Sequence, residues 1–109
     1  MSQSLHPLVR NQLLFREVNE RVREALATHE GPIEFVCECS NGDCVDKVPL
    51  DVEAYERIRA HPNLFLVASG HETLEVDRVV DQGRDYVLVE KKVDVERIIA
   101  FDPRSRGEQ

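Results

Sequence analysis

The 109-residue chain reads as an α+β domain: a long N-terminal helix, a small sheet with a cysteine-bearing hairpin, and two or three further short helices. Two observations predict this class. Apolar residues recur at helical spacing near the N-terminus, and beyond residue 32 short strand-like segments alternate with helical ones, punctuated by Gly, Pro and Asn.

The first helix is expected over residues 8–28. At 100° per residue Leu8, Leu14, Phe15, Val18, Val22, Ala25 and Leu26 fall within about 120° of arc, and the charged residues from 16 to 24 lie outside it. That stripe calls for burial, either on the chain's own core or on a partner's helix. Gly31-Pro32 then breaks the chain. IEFVCEC alternates with period two, placing Ile33, Phe35, Cys37 and Cys39 on one face and Glu34 and Glu38 on the other. SNGD is a turn sequence and CVDKVPL returns as a second strand, so the cysteines sit at a hairpin tip. Asp51 is placed to cap a helix running to about Ala60, which His61-Pro62 ends. LFLVAS reads as a buried strand closed by Gly70-His71. EVDRVVDQ, with Val76, Val79 and Val80 at i, i+3, i+4, reads as a short helix ended by Gly83. DYVLVEKK is a last strand and VDVERIIAF a final helical turn.

Composition narrows the function classes. The chain is 41% hydrophobic and 32% charged, as suits a globular domain. The N-terminal stretch has no apolar signal core, and no run approaches a membrane span, so a cytoplasmic protein without membrane partners is expected. Net charge is −7; residues 1–30 balance, and 31–101 carry 15 acidic against 8 basic residues. An acidic body repels phosphate backbones, so double-stranded DNA is not expected as a direct ligand. Arg16 and Arg23 share a helical face, and Glu20 lies between them. A protein partner is expected instead. It would be met by Arg16 and Arg23 on the first helix and by Glu38, Asp43 and Asp46 on an acidic tip. The first helix also offers a route to a homo-oligomer.

All three cysteines fall within FVCECSNGDC, at Cys37, Cys39 and Cys44. In a reducing compartment such clustering points to metal or redox chemistry rather than to structural disulfides. Tetrahedral zinc wants four N or S ligands. Among the four histidines His71 is best placed to complete the set, at the end of a strand expected beside the hairpin, with Gly70 permitting a sharp approach. One zinc ion per chain is expected, held by Cys37, Cys39, Cys44 and His71. Three cysteines fall short of the four that an iron–sulfur cluster normally uses. No catalytic residues are assigned: the H-E of His71-Glu72 lacks the second His of H-E-x-x-H, and no P-loop or G-x-G-x-x-G is present. The chain is therefore read as a non-enzymatic, zinc-binding regulatory protein acting through protein–protein contacts, with transcription or signalling as the expected setting. A thiol redox sensor switched at the three cysteines is the alternative. Residues 1–7 are expected to be loose, 8–101 to form one metal-binding domain, and 102–109 to be a flexible tail.

FREVNERV, FVCECSNGDC, AYERIRAHP, FLVASGHE, VDRVV and YVLVEKK, in that order, resemble a group of small actinobacterial proteins with the pattern REVNERI, FxCECxxxxC, YExVRxxPxxFxVxPGHE, VERVVE, YxVVEK. The resemblance spans about residues 14–92. ASGHE stands where that group has PGHE. The resemblance implies that Cys37, Cys39, Cys44 and His71 form one constellation, in a module of bacterial regulation; it implies no activity.

Overall fold

The computed structural model describes residues 5–106. Helix α1 (Pro7–Ala25) starts where proline is best tolerated, at its first residue, and His6 caps it, its Nδ1 accepting from the N–H of Leu8 at 3.2 Å. Strands β1 (Ile33–Val36) and β2 (Lys47–Leu50) form an antiparallel hairpin with Phe35 opposite Val48. Helix α2 (Val52–Arg59) follows Asp51, whose side chain makes no capping hydrogen bond. Strands β3 (Leu64–Ala68), β4 (Asp77–Gln82) and β5 (Tyr86–Lys91) make a second antiparallel sheet in the order β3-β5-β4. Helices α3 (Val95–Phe101) and α4 (Pro103–Arg106) close the described chain, and the whole is an α+β fold.

Residues 37–39 join the two sheets. The N–H of Glu38 donates to the carbonyl of Leu66 at 2.8 Å, and the N–H of Leu66 donates back to Glu38 Oε1 at 2.9 Å, so a side chain completes what would otherwise be a strand pair. Edge strand β3 divides the core. Phe65 and Val67 face a cluster with Val9, Cys37, Cys39, Val76, Val89 and Ile98, whereas Leu66 faces Ile33, Phe35, Val48, Tyr55 and Ile58. In the second cluster the rings of Phe35 and Tyr55 stack at 4.3 Å.

One expected helix is absent. Residues 75–82 do not form a helix; 77–82 are β4. The helical spacing of Val76, Val79 and Val80 has another cause: a register irregularity between Val79 and Asp81 pairs them with the successive β5 residues Val89 and Leu88, leaving Val80 as the extra residue of a bulge. Gly83 belongs to the turn that follows, where a Cβ would run into the Tyr86 ring.

The apolar stripe of α1 is split: Leu8 and Val22 pack against the core clusters, whereas the middle of the stripe faces solvent. Burial falls on Val9, Gln12, Arg16 and Asn19, while Leu14 is 59% and Val18 44% exposed. The polar residues go inside because each finds specific partners there. Asn19 spans β1, accepting from the N–H of Val36 and donating to its carbonyl, both at 2.8 Å. Arg16 lies 4.4 Å from the centroid of Phe65 and donates to the carbonyl of Pro62 at 2.6 Å. Gln12 reaches Asp77, which is ion-paired to buried Lys91. Burial lowers the Lys91 ammonium to about 8, against the pull of Asp77.

Near both ends, the described residues contact the rest of the chain. Leu5 packs on the core, and the N–H of His6 donates to Asp94 Oδ2 at 2.8 Å. Buried Asp102 pairs with Arg59, which also pairs with Glu20. Arg104 donates to Glu20 and to both oxygens of Glu56 at 2.9–3.2 Å. Residues 1–4 and 107–109 lie outside the described residues.

Candidate metal centre

The hairpin supplies three sulfurs through two different devices. Cys37 and Cys39 follow β1 in extended chain, with the N–H of Cys37 donating to the carbonyl of Asp46 at 3.0 Å. Cys44 arrives through a turn in which Asn41 Oδ1 accepts from the N–H of Asp43 and the Asn41 carbonyl from the N–H of Cys44, both at 3.0 Å. Two further contacts hold this loop: Asn11 of α1 donates to the Ser40 carbonyl at 2.8 Å, and the hydroxyls of Ser40 and Thr73 lie 2.6 Å apart. His71 comes from the second sheet. Gly70, at φ +87°, turns the chain after β3, and the N–H of His71 donates to the carbonyl of Ala68 at 2.9 Å.

The ligand atoms of Cys37, Cys39, Cys44 and His71 lie within 4.8 Å of one another. His71 Nδ1 is 3.7 Å from Cys37 Sγ and 3.6 Å from Cys44 Sγ. A tetrahedral ion with ~2.3 Å bonds to sulfur and ~2.0 Å to nitrogen has S–N edges of roughly 3.5 Å, so the four atoms already stand near the corners such an ion requires. The other ring nitrogen completes the geometry: His71 Nε2 lies 3.1 Å from Asp46 Oδ2. With the proton on Nε2, the imidazole donates to Asp46 and leaves the Nδ1 lone pair facing the sulfurs. This is the carboxylate–histidine arrangement that orients metal-bound imidazoles. The N–H of Ala68 donates to Cys37 Sγ at 3.2 Å, a contact that favours thiolate.

Electrostatics also ask for a cation. Burial pushes the Cys37 thiol up, Cys39 and Cys44 add to the rise, and only the N–H of Ala68 opposes it. Burial likewise raises Cys39. Thiols packed this closely resist ionising together unless a positive ion shares the site, and a bound metal ion supplies that charge.

The sequence brought together all four candidate ligands, and the structure places them in one cluster. The expected partner surface changes more. Glu38 is fully buried, not displayed at the tip: its Oε2 accepts from Asn19 Nδ2 at 2.8 Å and from the Tyr55 hydroxyl at 2.7 Å, and its Oε1 from Leu66. Arg16 is buried as well, and Arg23 pairs with Glu56 at 3.0 Å. These three offer a partner no free charge. Asp43 and Asp46 remain exposed, and Asp46 has the added task of holding His71. No local signal linked Asp46 to His71, because 25 residues and two strands separate them.

An α+β domain with a Cys3His cluster placed to hold a metal ion is thus the class of protein that the fold and the site define. Comparisons with protein-family models, with curated proteins and with solved structures found no match to this chain. Among the described residues, no helix is long and apolar enough to cross a membrane.

Proposed function

We propose that this chain is a small zinc-stabilised regulatory module that acts by binding another protein. The reading rests on one observation above all. Cys37, Cys39, Cys44 and His71 converge at tetrahedral spacing, with Asp46 orienting the imidazole. Zinc suits a three-sulfur, one-nitrogen set, and four protein ligands make a closed, structural site with no position left for substrate. The ion would tie the hairpin tip to the β3–β4 loop, so its binding energy would be folding energy.

Both loops carry apolar side chains into solvent, Val45 at 79% and Leu74 at 64% exposure. Asp43, Asp46 and Glu75 are exposed on the same loops. A metal-ordered surface of this kind suits a partner segment with basic and apolar residues. The acidic excess over residues 31–101 is in keeping with a protein rather than duplex DNA as partner.

The test is metal analysis of protein purified under reducing conditions. One zinc per chain is expected, and cobalt substituted for it should give thiolate charge-transfer and tetrahedral d–d bands. Metal-free protein whose melting curve ignores chelator would overturn the reading.

A further inference from the structure

Helix α1 turns its polar residues inward and leaves an apolar seam outside. On a helical wheel Leu14, Val18 and Ala25 fall within about 40° of one another, opposite the buried face of Gln12 and Arg16. The seam's two sides differ in chemistry. On one run Arg10, Glu17, Arg21 and Glu24, all exposed; among the described residues none of the four is held in an ion pair within the chain. On the other run Asn11, Phe15, Val22 and Leu26, with no charge among them. Phe101, 55% exposed, shares a shallow depression with Leu13 and Glu17 and widens the apolar area on the charged side.

We propose that a second copy of this chain docks on this face, with the two α1 helices antiparallel about a two-fold axis near Val18. Symmetry and charge select this arrangement. Antiparallel helices related by such an axis bring like flanks together, so the charged flank meets itself and the uncharged flank meets itself. The order +, −, +, − from Arg10 to Glu24 is complementary to its own reversal: Glu17 falls beside the partner copy's arginine at position 21, and Arg10 beside its glutamate at position 24. Leu14 packs toward the partner copy's valine at position 22, and Val18 packs near the axis. A parallel pair would instead set the charges against Asn11, Phe15 and Val22, and leave them unmatched. A single helix pair sits at the small end of specific interfaces, below about 1,200 Å². Association is therefore reversible and concentration-dependent, and it weakens as salt screens the flank. The proposal stands independently of the metal reading.

Sedimentation of the full chain across micromolar concentrations tests it. The mass should move between the 12.5 kDa chain and twice that value. Glu17→Arg should weaken association at least about tenfold by setting arginines against each other, as close like charges across an interface do. The exchange Glu17→Arg with Arg21→Glu should restore it, and Val18→Glu should abolish it. All these positions are exposed, so melting temperatures should hold close to the parent's. A chain that stays monomeric at the highest concentration overturns the proposal. So does a dimer indifferent to Val18→Glu, or an exchange variant no tighter than Glu17→Arg alone.

Discussion

Replacing Glu38 by alanine separates two pictures of the hairpin. On the outer face of a strand the change would cost a few tenths of a kcal/mol and alter only surface charge. In the folded chain Glu38 accepts hydrogen bonds from Asn19, Tyr55 and Leu66. Asn19 keeps a second acceptor in the Val36 carbonyl, whereas the Tyr55 hydroxyl and the Leu66 N–H each lose the partner described here. A buried donor left without a partner costs ~1–3 kcal/mol, so two give about 4 kcal/mol. Measured against the ~5–15 kcal/mol of a typical domain, Glu38→Ala should bring the chain close to unfolding. Glu38→Gln should cost less but not nothing, because its amide N–H₂ would have to face a donor. Urea unfolding followed by circular dichroism, with metal saturating, would read both. A shift below about 1 kcal/mol for Glu38→Ala would refute the buried network and return Glu38 to the surface.

Other predictions follow from the same contacts. Asp46→Asn should lower zinc affinity ~10–100-fold in a competition assay with a chromophoric chelator, and His71→Ala should lower it further; unchanged affinity for both would remove the imidazole from the site. Arg59→Leu strands the buried carboxylate of Asp102 and should cost ~3–5 kcal/mol, while Arg59→Leu with Asp102→Leu should cost less than Arg59→Leu alone. A double variant as unstable as the single would undercut that pairing. The hydrogen bonds from Arg104 hold the Glu56 carboxyl below its ordinary value. Because the folded pKa is depressed, this contribution is present above the unfolded value of ~4.3 and is lost as pH falls through the folded one. The stability gap between parent and Arg104→Ala should therefore shrink as pH drops from about 6 toward 3, and a gap that widened would contradict the pairing.

What the sequence determined by itself was local. Period-two alternation in IEFVCEC, the SNGD turn and the apolar run LFLVAS place the strands that carry the ligands, and the tight spacing of Cys37, Cys39 and Cys44 with the Gly70-His71 turn names the cluster. Those features are legible because strand pattern, turn chemistry and ligand type are properties of neighbouring residues. The tertiary structure alone decided which side of α1 goes inward, whether residues 77–82 extend or coil, and where Glu38 and Asp102 lie. Hydropathy sent Leu14 and Val18 inward and Arg16 and Asn19 outward, and the fold does the reverse. A buried polar side chain is tolerated when its partners wait at the right distance, and those partners, the Val36 and Leu66 backbones, the Phe65 ring and the Pro62 carbonyl, come from strands and turns distant along the chain. The bulge in β4 likewise exists only against β5, because register is a property of two strands and not of one.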